Sequence, residues 1–323
     1  MNKRDVVERI LADRPRAPRE TGSGRAAANI ALCKYWGKRD EELNLPVTGS
    51  CSYTLSALYA ETEISPRDGA DEVLLNGRLL PARDPFAARL TAYLDLVRSD
   101  HGYRVATHST VPIAAGVASS SAGFAALVRA LNDLYTWRLD DRACSILARL
   151  GSGSACRSLF PGFVEWHAGT RPDGMDSFAE PLSVEWPAFR MGLLYMSQAP
   201  KPIGSRAAMQ RTRATSRLYR AWPDQVAHDL AVIRDALAAR DFERLGSAVE
   251  TNALAMHATM LAASPPVFYW LPDTVAAWHQ VWSARADGLA VYATMDAGPN
   301  IKLLYLAPDE EAVRARFAGL HPA

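Results

Sequence analysis

Residues 112–123 read PIAAGVASSSAG and run straight into FAALVRALNDLY (124–135), whose apolar spacing is helical. Few arrangements suit this pairing. Side chains this small let the backbone approach another group closely. A helix that starts there aims its free amides, and the positive end of its dipole, at whatever lies in front. Ser119, Ser120 and Ser121 add hydroxyls at that point. No Gly-Lys-Ser/Thr follows, so this is not a Walker A loop. Read alone, the stretch is either a phosphate cradle or a serine-rich helix cap.

Around it the periodicities alternate. Strand patterns occur at 52–64, 103–111 and 190–198, and an Asn-Gly turn inside LNGRL (75–79) marks a hairpin. Residues 86–98 and 140–149 read as helices. The second stops at Gly151, and GSGSACRSLFPGFVEW follows as a loop leading into a strand. Beyond about 190 the pattern turns helical, at roughly 205–221, 224–239, 241–262 and 272–286. Residues 290–306 form strand, tight turn and strand, and a last helix carries acids in its first turn, which suits its dipole. The intermingling predicts an α+β architecture with a boundary near 185–190. At the N-terminus Val6, Ile10 and Leu11 predict one short amphipathic helix, and the Pro/Gly/Ser-containing remainder reads as a flexible lead-in.

Three further stretches carry charge in unusual places. In IALCKYWGKRD (30–40) a lysine ends an apolar run, which is costly unless the ammonium finds an anion or reaches water. In GSGSACR (151–157) two Gly-Ser pairs precede an arginine, whose planar fork suits carboxylates and phosphates; an interdomain loop with a surface arginine reads the same way. In MDAGPN (295–300) Asp296 stands where a strand gives way to a Gly-Pro turn, as a catalytic acid or as an Asx turn. With Lys+Arg 36 against Asp+Glu 35, the net charge of +1 argues against nucleic acid or an anionic membrane surface as a partner. Anion binding must therefore be local, and two cradles, several cations and one acid are what a polyphosphate nucleotide and an anionic substrate need. Cys33, Cys51, Cys144 and Cys156 have no metal-like spacing and read as buried thiols in a reducing, cytoplasmic setting. No stretch is long and apolar enough to span a bilayer, and the N-terminus has no secretory h-region.

The blocks ANIALCKYWGKRDEELNLP, VPIAAGVASSSAGFAAL, LARLGSGSACRSLFPGFVEW and TMDAGPNIKLL resemble the signature segments of the diphosphomevalonate decarboxylases, in the GHMP kinase superfamily. LLNG, GSRAAMQRTRATS and ETNALAMHATMLAASPPVFYW extend the similarity over roughly residues 25–306. The resemblance implies a two-domain GHMP kinase fold. An N-terminal α/β domain of the ribosomal-protein type would span 23–187, and a C-terminal ferredoxin-like domain 188–323, with 1–22 as a flexible extension. It implies ATP-dependent decarboxylation of mevalonate 5-diphosphate to isopentenyl diphosphate through 3-phosphorylation, with Mg²⁺, in a homodimer. Asp296, Arg157 and Lys34 would be catalytic. Tyr35, Lys38, Ser152, Ser154, Arg157, Ser205 and Arg206 would hold the substrate's phosphates or carboxylate. Gly116, Ser119, Ser120 and Ser121 would hold the nucleotide, with Ser120 as a metal ligand. On this reading the ligand supplies the counter-charge that Lys34 lacks, and the PPVFYW segment (265–270) serves packing. The run PVTGSCSYTL (46–55) departs from the family, with Thr48 and Gly49 where an Asn-Ser pair is usual. That departure leaves a 5-monophosphate substrate as an alternative, beside a mevalonate-type kinase that does not decarboxylate. A catalytically silent sensor of an isoprenoid phosphate is the alternative outside enzymes.

Overall fold

A computed structural model describes residues 1–98, 100–111 and 119–322. Its spine is one long antiparallel pair, Gly22–Cys33 with Ser50–Arg67, in register Ile30↔Tyr53 and Ala26↔Ala60. The helix Ser119–Leu134 lies directly on this pair. A Cβ at Gly22 or Gly24 would collide with the carbonyls of Ala130 and Ala126 in that helix, so only glycine lets the two backbones come this close.

The first sheet runs Arg78–Leu79, Glu72–Leu75, Gly102–Ser109, Ser50–Arg67, Phe163–Trp166, Ala179–Pro181, with Gly22–Cys33 also paired to Ser50–Arg67. The predicted hairpin is present: Asn76 and Gly77 take φ of 50° and 78°, as a tight Asn-Gly turn requires. The second sheet is antiparallel, in the order Tyr292–Met295, Ile301–Leu306, Phe189–Leu194, His321–Pro322. Helices Trp222–Ala239, Phe242–Leu261 and Pro272–Ala286 belong to this half. One hydrophobic core runs through both halves, from Ile30 and Leu127 to Phe189 and Leu304. A smaller cluster around Trp278, Tyr305 and Phe317 lies beyond it. The mixture of helix and sheet is the expected α+β class.

Three expectations need correction. Residues 153–159 form a 3₁₀ helix rather than a loop, because Gly153 and the small residues after it permit tight winding. The helix expected over 205–221 ends at Thr215, and Arg217–Ala221 continues as a 3₁₀ turn. The N-terminal segment is docked. Asn2 closes a capping box on the helix Lys3–Ile10, Val6, Val7 and Leu11 are fully buried, and Trp137 donates its indole N–H to the Pro15 carbonyl at 3.0 Å. Hydrophobic burial ties residues 3–11 down, so the extension is not loose throughout, whereas residues 12–21, read as a flexible lead-in, are largely exposed and form neither helix nor strand.

Candidate active site

The strand Gly22–Cys33 is buried over its last six residues and delivers Lys34 into the interior, 1% exposed. The Lys34 N–H donates to Asn252 Oδ1 at 2.7 Å, and Asn252 donates in turn to Asp229 at 2.8 Å, which ties the strand end to two helices of the other half. The Lys34 ammonium donates to the Ala31 carbonyl at 2.6 Å and to Asp296 Oδ1 at 2.9 Å. The chain therefore supplies the counter-charge itself, which corrects the expectation that the ligand alone would do so.

Asp296 directly follows the strand Tyr292–Met295, where the chain must leave the sheet. Its second oxygen, Oδ2, lies 3.2 Å from the Lys302 ammonium. The turn that carries it is held from several sides. His257 Nε2 donates to the Asp296 carbonyl at 3.1 Å, and Trp270 Nε1 donates to His257 Nδ1 at 2.9 Å, which fixes the imidazole tautomer. Asn300 Oδ1 accepts the N–H groups of Met196 and Ser197, and Thr274 donates to the Pro299 carbonyl. Trp270 closes the PPVFYW segment, so that segment braces the acid as well as packing.

Opposite, Arg157 projects from the 3₁₀ helix Gly153–Leu159 and is 2% exposed. Its Nε and Nη2 donate to Asn29 Oδ1 at 3.3 and 3.2 Å, and Nη1 donates to Ser50 Oγ. Asn29 also donates to the Ser154 carbonyl and the Ser158 hydroxyl, so strand and 3₁₀ helix are locked together. Of the guanidinium's five N–H groups, two are left for a ligand once these three are engaged.

These groups meet in a cavity of about 470 Å³ between the two halves, lined among others by Lys34, Tyr35, Lys38, Ser120, Ser152, Ser154, Arg157, Ser205, Arg206 and Asp296. Lys38 is bound to Glu41 at 3.0 Å and Asn44 at 2.8 Å, and the Ser120 and Ser152 hydroxyls are 3.5 Å apart. The Tyr35 hydroxyl is buried with no hydrogen-bond partner among the described residues. Ser121 is fully buried and does not line the cavity. Gly116 lies outside the described residues, as does the Ser119 side chain. The cavity also takes in Lys201 and Arg89, which sequence reasoning missed, while Lys302, His257 and Ser50 act just behind it. A signal for Lys302 existed: it interrupts the apolar run IKLLYL as Lys34 interrupts its own.

Among the described residues, six cations (Lys34, Lys38, Arg89, Arg157, Lys201, Arg206) and one carboxylate line the cavity, a setting for a polyanion. Burial opposes ionisation of Asp296, but Lys302 and Lys34 outweigh it and hold the carboxyl well below its ordinary range. Burial lowers Lys34, with Asp296 opposing. Burial also lowers Arg157 and Lys201. His257 is pushed down to about 3 by burial, so it is a neutral strut. No group of three or more His, Cys, Asp or Glu side chains among the described residues is set to hold a metal. The neutral oxygens of Ser120 and Ser152 fit a magnesium that draws most of its oxygens from phosphates and water.

Comparison with known proteins agrees with this geometry. Residues 26–179 match the diphosphomevalonate decarboxylase-like N-terminal domain, and residues 193–322 match the mevalonate 5-diphosphate decarboxylase C-terminal domain. The diphosphomevalonate decarboxylase of Aspergillus fumigatus is 40% identical over 89% of this chain and 77% of its own. That of Bos taurus is 39% identical over 85% of this chain and 74% of its own. The crystal structure of mevalonate diphosphate decarboxylase from Staphylococcus aureus superposes with a TM-score of 0.89 at 36% identity, covering 94% of this chain and 96% of that one. A related structure in complex with MVAPP, AMPPCP and magnesium superposes with a TM-score of 0.87 at 40% identity, covering 94% and 95%.

Proposed function

The chain belongs to the diphosphomevalonate decarboxylase family of the GHMP kinase superfamily, and on that premise we propose how its own residues carry out the reaction. The enzyme uses ATP and Mg²⁺ to convert mevalonate 5-diphosphate to isopentenyl diphosphate, releasing ADP, phosphate and carbon dioxide. A tertiary hydroxyl leaves poorly. Once phosphorylated it departs as phosphate while the C–CO₂ bond electrons form the alkene. Bound Mg²⁺ would supply positive charge to the transferring phosphates.

Asp296 accepts the hydrogen bond of the 3-hydroxyl and aims its oxygen at the nucleotide. Two ammonium groups make it a weak base, so it orients the hydroxyl and receives the proton only as the phosphoryl bond forms. Lys34 offsets negative charge at the reacting oxygen. Arg157 presents its two remaining N–H groups to the substrate carboxylate, held in place by Asn29 and Ser50. Tyr35, Lys38, Ser152, Ser154, Ser205 and Arg206 grip the diphosphate end and the carboxylate. Ser120, whose hydroxyl stands 3.5 Å from that of Ser152 at the cavity wall, would face the nucleotide's phosphates and serve as a metal ligand. The observation that carries this reading is the doubly paired Asp296 facing Arg157 across a six-cation cavity.

Two finer readings accompany it. Residues 23–187 and 188–323 form the two domains, a boundary supported by the gap between the strands Ala179–Pro181 and Phe189–Leu194. The protein works as a homodimer in the cytoplasm, supported by the exposed apolar residues Leu261, Phe268, Leu271, Val275 and Trp282 and by four buried free thiols.

Purified protein with ATP and, in turn, mevalonate, its 5-phosphate and its 5-diphosphate tests the function. ADP and carbon dioxide formed together from the diphosphate are expected. ADP without carbon dioxide overturns the reading.

A further inference from the structure

Lys302 touches the cavity only through Asp296. It stands in the strand Ile301–Leu306, paired to Thr294 in the neighbouring strand, and its side chain is 2% exposed. Its ammonium lies 3.2 Å from Asp296 Oδ2 and donates to the Asn300 carbonyl at 3.3 Å. A buried ammonium in a sheet core is costly, and an apolar residue would pack there without that cost. Lys34 already pairs with Asp296 through the other oxygen. A second buried cation is therefore more than charge balance requires.

We propose that Lys302 is a positioning residue for phosphoryl transfer. From within the sheet it holds Asp296 Oδ2, turns Oδ1 toward Lys34 and the substrate hydroxyl, and keeps the acid an anion until the phosphoryl bond forms. This rests on the decarboxylase reading above. With one ammonium on each oxygen, the carboxylate cannot rotate to trade its oxygens, and the direction in which it accepts the hydroxyl's hydrogen bond is set before substrate arrives. The charged and titratable groups that surround Asp296 are Lys34 at the end of its strand, Lys302 in the sheet, Lys201 in the loop before the helix Ser205–Thr215, His257 in the helix Phe242–Leu261 and Arg157 in the 3₁₀ helix. His257 is neutral and bonds to the backbone carbonyl, so the carboxylate's charge state is in the hands of the cations. Of the lysines that pair with it, Lys34 faces the cavity and Lys302 does not, which leaves Lys302 constant when substrate binds.

The test is the pH profile of kcat for Lys302→Met beside the wild type, with equilibrium binding of mevalonate 5-diphosphate and ATP measured on both. In the variant, protonation of Asp296 becomes easier, so the acidic limb of kcat moves to higher pH by about one unit or more. Both ligands bind within about threefold of wild type. Lys302→Arg returns the limb toward its wild-type position. An unchanged limb, or a loss of kcat equal at every pH, overturns the proposal. If Lys302→Met fails to fold, Lys302→Gln keeps a donor to Oδ2 without its charge and must show the same upward shift. Absence of carbon dioxide release from the wild type would instead refute the decarboxylase reading and not this one.

Discussion

Replacing Arg157 by lysine keeps the charge and removes the fork. In the wild type three N–H groups secure the guanidinium on Asn29 and Ser50, and two remain for the substrate carboxylate. A lysine ammonium is a point donor. It can satisfy either Asn29 Oδ1 or Ser50 Oγ and still lean toward the ligand, but it cannot do all three. One buried polar atom then loses its partner, at about 1–3 kcal/mol of stability. One charge-assisted hydrogen bond to the substrate is lost, at about 1.5–3 kcal/mol, or roughly 10–150-fold in kcat/KM. Steady-state kinetics with carbon dioxide release as the readout, beside urea unfolding, measures both. An Arg157→Lys enzyme within about threefold of wild-type kcat/KM would refute the reasoning, because it would mean that charge alone, and not planar geometry, handles the carboxylate.

Asp296→Asn loses most turnover while substrate affinity stays within about tenfold, since the group acts mainly in the transition state; near-normal turnover sinks the assignment. His257 has an ordinary value of 6.5 and is pushed down to about 3 in the fold, so the unfolded chain binds more protons between those limits. Stability is therefore lost as pH falls from about 6.5 toward 3, by about 1.4 kcal/mol per unit. His257→Gln should flatten that slope in urea unfolding between about pH 7 and pH 5, and an unchanged slope argues against a buried neutral imidazole. Leu11→Ala should cost about 2–5 kcal/mol if the N-terminal helix is docked as seen. No change in melting temperature would argue against that docking.

Much of the site was legible because its chemistry is written in local anomalies. Lys34 ends an apolar run, Arg157 follows two Gly-Ser pairs, and Asp296 precedes Gly-Pro. Each departs from what a strand, loop or turn needs for its own stability, and such departures point to function. The helix from Ser119 and the Asn76-Gly77 hairpin were legible for the same local reason. What lay hidden were the partners. Lys302 interrupts its apolar run as Lys34 does, but nothing local says which acid it meets, and His257 and Trp270 are ordinary members of a helix and a loop. The N-terminal helix was visible as a pattern, but its docking depended on an apolar surface contributed by distant residues.

From the sequence alone follow the element types, the family, the reaction class and three charged residues out of place, because periodicity and local composition report backbone preference directly. Only the tertiary structure decided how those charges balance. Lys34 and Asp296 are 262 residues apart in the chain, and Arg157 and Asn29 are 128 apart. Burial raises the cost of an unpaired charge until the fold must bring an opposite one to it, and which residue answers depends on strand register and helix packing across both halves. The pairing of one carboxylate with two ammonium groups is a property of that convergence, not of any one segment.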